Sequence, residues 1–247
     1  MAPSKKPQSR GIYLLPNLFT TAGLFAGFYA IIAAIRGDFE SAAVAIFIAM
    51  VMDGLDGRIA RLTNTQSAFG AEYDSLADMV SFCLAPALVM YLWALSDMGK
   101  VGWMVAFIYA ACGALRLARF NTQIGIEDKR YFQGLPSPAA AAVLAGWIWA
   151  GSSNHLAPAL ITNIALVLTF SCGILMVSTL RYHSFKELDL RGKVPFVVML
   201  ILVLGFALVA IDPPLILFGG FLTYAISGPI FTLVKLRQHK TGRQQGK

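Results

Sequence analysis

Four carboxylates stand inside otherwise apolar sequence: Asp53 and Asp56, then Asp74 and Asp78. At about 100° per residue, a helix carries Asp53, Asp56, Gly57 and Ala60 within an arc of roughly 100°, one face with two acids and two small residues. Asp74 and Asp78, at i and i+4, share a face as well. If the two helices run antiparallel and are joined through the polar stretch Thr63 to Ser67, all four acids meet at one point. Oxygen-only donors without His or Cys suit a hard divalent cation, Mg²⁺, Mn²⁺ or Ca²⁺. Arg58 and Arg61 offset part of the negative charge and leave a residual for such an ion.

An acid at the centre of a membrane helix costs about 2.5 to 3.5 kcal/mol on insertion scales, so four unpaired ones cost on the order of 10 to 14 kcal/mol. A cost of that size argues for a function. The alternative is an ion-paired polar patch that holds helices together. Against it stand Gly57, Ala60 and Gly70, small residues that leave room for another group to come close.

The elements that must position these acids are membrane helices. The 247 residues are 57% hydrophobic and 13% charged, with a mean hydropathy of +0.66, which excludes an ordinary soluble domain and gives an all-α polytopic membrane bundle. Cys83, Cys112 and Cys172 lie in apolar runs and are odd in number, so they are packing residues rather than a disulfide framework or a zinc site. The net charge of +7 clusters beside apolar segments, which points to anionic lipid and membrane orientation and not to nucleic acid.

Residues 1–15 form a basic cytoplasmic lead with Lys5, Lys6 and Arg10. Apolar runs at 18–35, 41–62, 74–95, 101–117, 138–150, 160–180, 194–210 and 215–236 give about eight transmembrane helices in one domain over 16–236, followed by a basic tail at 237–247. The first run is long for a signal peptide and reads as an uncleaved helix. The run at Pro138 is short for a hydrocarbon core about 30 Å thick.

Alternating the loops puts 18 of the 20 Lys and Arg on one side, with Arg36 and Lys100 on the other. That asymmetry places both termini and the acids in the cytoplasm. Trp93, Trp103, Trp147 and Trp149 then fall near the external interface as an aromatic belt, with core filling as their alternative. Asp53 precedes Leu62 by nine residues, about 13 Å of helix, so the site opens from the cytoplasmic leaflet. His155, His183 and His239 are not in catalytic positions.

The pattern Asp53-x2-Asp56-Gly57-x2-Ala60-Arg61-x8-Gly70-x3-Asp74-x3-Asp78 resembles, at every fixed position and spacing, the signature of the CDP-alcohol phosphatidyltransferase family. Leu15-Pro16-Asn17-Leu18-Phe19-Thr20, Arg116-Leu-Ala-Arg119-Phe-Asn121 and Gly134-Leu-Pro136-Ser137-Pro138 are similar to segments of its serine-using branch, and the likeness runs to about Trp149. The resemblance implies transfer of the phosphatidyl group from CDP-diacylglycerol to L-serine with release of CMP, in the cell membrane, which for a bacterial cell is the inner membrane. It implies Mg²⁺ or Mn²⁺ as a pair of ions, with Ca²⁺ as another occupant. Asp53, Asp56 and Asp74 would be metal ligands, and Asp78 a further ligand that doubles as general base. Asn17, Thr20, Gly57, Ala60, Arg61 and Gly70 would lie at the CDP-lipid, and Arg116, Arg119 and Ser137 at the acceptor.

The residues alone leave the base open among the four acids. They also leave open direct attack or a covalent intermediate, although the absence of a paired Ser, Cys or His nucleophile favours direct transfer. Pro16, Asn17 and Thr20 equally fit a helix start, Arg116 and Arg119 equally fit interface anchors, and Ser137 with Pro138 fits another helix start. Rival acceptors are glycerol 3-phosphate and inositol phosphate, which would ask for more clustered positive charge. The rival of another class is a cation transporter or channel, against which all four acids lie toward one membrane face without an inverted repeat. Membrane lipids are the expected surroundings, and a homodimer is allowed for.

Overall fold

The computed structural model describes residues 14–122, 131–153, 158–183 and 196–244, which are helical apart from short turns and one pair of strands. α1 (Leu14–Ile35) and α2 (Phe39–Thr63) form a closely packed hairpin. Its seam is made of small residues: Ala26, Ala30, Ala33 and Ala34 of α1 and Ala42, Ala43, Ala45 and Ala49 of α2 are all buried. In lipid, close backbone approach of this kind replaces the hydrophobic effect as the source of helix association. Asp38 caps α2 by accepting the Ser41 N–H at 3.0 Å.

α2 stops at Asn64, whose left-handed backbone (φ 52°) returns its N–H to the Ala60 carbonyl. Soon after, Ser67 caps α3 (Ala68–Asp78) by accepting the Gly70 N–H at 3.0 Å. Helix continues to Met98, but not uniformly. A π-helical turn at Met79–Leu84 leads into α4 (Ala85–Met90), then a second π segment, Tyr91–Leu95, and a 3₁₀ turn. α5 (Lys100–Thr122), α6 (Ser137–Ser153), α7 (Pro158–Val177), α8 (Phe196–Ile211) and α9 (Pro213–Gln244) complete the described helices.

Each of the eight apolar runs has helix at its centre. Among the described residues, Leu15–Ile35, Ala68–Met98, Lys100–Thr122, Pro158–Val177 and Pro213–Thr232 are long and apolar enough to cross a bilayer. α2 has the length, with 25 residues, but its acids and arginines interrupt the apolar pattern. α6 has only 17 residues, yet it is the core: every residue from Ala139 to Ile148 is buried, and it packs on α2, α7 and α9. Ala139 to Ala142 give those neighbours room to approach. Phe25, Leu76, Phe107, Val167 and Phe206 are instead exposed, as side chains that face acyl chains should be.

β1 (Tyr131–Gln133) and β2 (Arg181–His183) pair antiparallel, with Phe132 opposite Tyr182. The pair ties the segment before α6 to the segment after α7. Gly134 completes the tie in a backbone region that favours glycine (φ 74°), and a Cβ there would collide with the Met176 carbonyl.

One expectation changes. Trp147 is core filling rather than part of a belt, buried with its ring 5.3 Å from that of Phe218. Trp149 donates to Glu40 Oε1 at 3.1 Å. α9 runs on to Gln244, into the segment read as a basic tail. The basic lead at Lys5, Lys6 and Arg10, the basic segments at 129–130 and 186–193, and His155 lie outside the described residues.

Candidate active site

The reversal between α2 and α3 brings the acids together. Carboxylate oxygens of Asp53, Asp56 and Asp74 lie within 4.8 Å of one another. With Asp78 and Thr20 they line a cavity of ≈ 10 Å³, closed by Ala77, Ser81 and Phe82. That is room for a single water-sized or ion-sized occupant. Carboxylates this close repel, and the less water shields them the stronger the repulsion; Asp56 is only 5% exposed. The donor set is all oxygen, clustered and partly dry, and so fits a hard divalent cation.

The surroundings fix these acids in place. The Thr20 hydroxyl of α1 donates to Asp56 Oδ2 at 2.7 Å, with the Pro16 carbonyl more distant at 3.2 Å. Thr20, expected at the CDP-lipid, thus gives its proton to a clustered acid. The Ser81 hydroxyl reaches the Gly23 carbonyl at 3.1 Å and closes the cavity floor against α1. Beside Asp74, Ser75 donates to Asn121 Oδ1 at 3.1 Å and ties α3 to the end of α5.

The remaining candidates on the CDP-lipid side are Asn17, Gly57, Ala60, Arg61 and Gly70, on the helices that carry Thr20 and the acids. Gly70 sits under Asn17, where a Cβ would come 3.4 Å from Asn17 Oδ1 and 3.1 Å from Ser67 Oγ. At Gly57 a Cβ would touch only Arg61 Nη1, at an ordinary 3.7 Å, so packing within the chain does not require glycine there. Ala60 is half-buried and Arg61 is exposed, with Arg61 in electrostatic reach of Asp56. Thr21 and Tyr73, not singled out in the sequence, join α1 to α3 through hydroxyls 2.9 Å apart. The i, i+4 aromatic pair Phe69 and Tyr73, stacked with centroids 6.0 Å apart, was the available signal.

The two candidate acceptor arginines part company. Arg116 is enclosed between α5 and the start of α6, where it donates to Ser137 Oγ at 2.9 Å, and it interacts electrostatically with Asp78. Its Nε is buried without a partner. Arg119, one turn further, instead donates to the Val177 carbonyl at 2.9 Å and so caps the end of α7. Of the two arginines expected at the acceptor, Arg116 thus interacts with an acid of the cluster, while one N–H of Arg119 goes to a helix terminus.

The family model described as CDP-alcohol phosphatidyltransferase matches residues 13–175, a stretch that holds all four acids, Arg116 and Ser137. The chain is 37% identical, over 91% of its length and 94% of the relative's, to a CDP-diacylglycerol–serine O-phosphatidyltransferase of Helicobacter pylori. A protein of the same name from Methanocaldococcus jannaschii is 40% identical over 58% of this chain and 63% of its own. An archaetidylserine synthase of Methanothermobacter thermautotrophicus is 32% identical over 68% of this chain and 69% of its own. With its spaced acids converging in space and the match covering most of its length, this chain belongs to the CDP-alcohol phosphatidyltransferase family.

Proposed function

We propose that the protein transfers the phosphatidyl group of CDP-diacylglycerol to L-serine, giving phosphatidylserine and CMP. The observation that carries this reading is the convergence of Asp53, Asp56 and Asp74 in one ion-sized cavity with Asp78. Serine as acceptor is supported by the names of the relatives.

Asp53, Asp56, Asp74 and Asp78 would hold Mg²⁺ or Mn²⁺, with Ca²⁺ as another occupant. By size the cavity takes one ion-sized occupant. A bound divalent ion neutralises pyrophosphate charge and polarises the attacked phosphorus. Gly57 and Gly70 let the nucleotide approach the backbones of α2 and α3, beside Asn17, Ala60 and Arg61. Asp78 accepts the proton of the serine hydroxyl as that oxygen bonds to phosphorus and the bond to the CMP oxygen breaks. CMP departs with the electron pair. Arg116, oriented by Ser137, receives the serine carboxylate through its unpartnered Nε. Arg119 steadies α7 and acts on the acceptor only through the fold. The lipid tails stay in the cytoplasmic leaflet of the inner membrane.

The test is CMP release by purified protein in CDP-diacylglycerol micelles, with serine, glycerol 3-phosphate or inositol phosphate offered singly. Release with serine, matched by phosphatidylserine formed, is expected. Release with another alcohol and not with serine would reassign the acceptor, and silence with all three would remove the transferase reading.

A further inference from the structure

Asp78 immediately precedes the π-helical turn Met79–Leu84, in which the Ala85 N–H closes on the Val80 carbonyl, five residues back instead of four. One extra residue in a turn offsets the helix before it from the helix after it by up to about 100°. The following stretch is anchored in the bundle by buried Phe82, Cys83, Ala85 and Val89. The wide turn therefore decides the direction in which α3 presents its acids.

Pro86 follows this turn without an N–H, so it closes neither on the Ser81 carbonyl five residues back nor on the Phe82 carbonyl four residues back. That carbonyl is instead taken by the hydroxyl of Tyr109, on α5, at 3.0 Å. Tyr109 is fully buried and lies outside the acid cluster. The same chemistry recurs in α9, where Pro229 has no N–H for the Ala225 carbonyl and the buried Tyr182 hydroxyl supplies a donor at 2.9 Å. Of the two, the Tyr109 pair is the one adjoining the acids.

We propose that Tyr109 is a positioning residue for the transfer: by standing in for the N–H that Pro86 lacks, it holds the wide turn that aims Asp78 at Asp53, Asp56 and Asp74. The inference rests on the reading of Asp78 given under the proposed function. Steady-state kinetics of the full chain in CDP-diacylglycerol micelles tests it, comparing wild type, Tyr109→Phe, Pro86→Ala/Tyr109→Phe and Asp78→Asn. Misplacement of a reacting group by an ångström or less predicts a fall in kcat of about ten- to a hundred-fold in Tyr109→Phe, with KM for both substrates unchanged. Adding Pro86→Ala puts an N–H within reach of the Phe82 carbonyl and should recover most of the loss.

Wild-type kcat in Tyr109→Phe, or a double variant no better than the single one, overturns the proposal. If Tyr109→Phe does not fold, the double variant should fold and turn over, and its failure would also overturn it. Asp78→Asn separates the two readings. If it is active, there is no Asp78 role to support and both fall; if it is inactive beside a fully active Tyr109→Phe, only the positioning falls.

Discussion

Replacing Thr20 by valine removes one hydroxyl and keeps the branched shape. That hydroxyl donates to Asp56 Oδ2 at 2.7 Å, and Thr20 and Asp56 are only 6% and 5% exposed. A hydrogen bond to a charged group contributes about 1.5 to 3 kcal/mol, or roughly 13- to 160-fold in an equilibrium constant. Independently, losing an outer partner of a metal-ligating carboxylate weakens metal binding or activity by about 10- to 100-fold. The two ranges overlap, so the Mn²⁺ concentration for half-maximal CMP release should rise by roughly one to two orders of magnitude in Thr20→Val. Thr20→Ser keeps the hydroxyl and should stay close to wild type. A Thr20→Val protein with an unchanged Mn²⁺ dependence would refute the reasoning, because Asp56 would then need no orientation from α1 or would not hold the ion.

Arg116→Lys keeps the charge but loses the planar fork, so apparent serine affinity should fall by about 1 to 3 kcal/mol while the CDP-diacylglycerol KM moves little; a loss confined to the lipid would assign Arg116 to its phosphate. Arg119→Ala should leave the serine KM unchanged and lower thermal stability by about 1 kcal/mol through the uncapped Val177 carbonyl, and a large rise in serine KM would return Arg119 to the acceptor pocket. Gly113→Ala puts a Cβ onto Cys83 Sγ and should destabilise by about 1 to 3 kcal/mol in a thermal melt, a loss that Cys83→Ala should partly relieve. In a cysteine-free background, an impermeant thiol reagent should label Ser153→Cys from outside intact cells and leave Asn64→Cys untouched. The reverse pattern would put the acids on the outer face.

The acids were legible in the sequence because charge is costly in apolar segments and their spacing follows helix periodicity. The short polar link after Thr63 then leaves the two helices little choice but to face one another. Periodicity did not reveal that α6, too short to look like a secure span, is the centre of the bundle. Its alanines read as weakly apolar, and only the packing of α2, α7 and α9 around them gives them their role. Nor does helix spacing separate Arg116 from Arg119. They sit one turn apart, and what divides them is the end of α7, brought near Arg119 by the fold although Val177 is 58 positions further along the chain. The β1–β2 pair was missed for a like reason, since each strand is only three residues long and its partner is distant in the chain. Pro86 was a visible mark of an irregular helix, but the tyrosine that answers it lies on another element.

The central claim is that Asp53, Asp56 and Asp74 together hold the divalent ion on which transfer depends. Its most direct test is Mn²⁺ binding, followed by electron paramagnetic resonance on chelator-stripped protein, in wild type and in Asp53→Asn, Asp56→Asn and Asp74→Asn, with CMP release recorded on the same samples. The stripped wild type should be silent and should recover as Mn²⁺ binds. Each folded variant should bind Mn²⁺ far more weakly and stay nearly silent. Transfer by thoroughly stripped wild type, or variants that bind Mn²⁺ and turn over like wild type, would contradict the account.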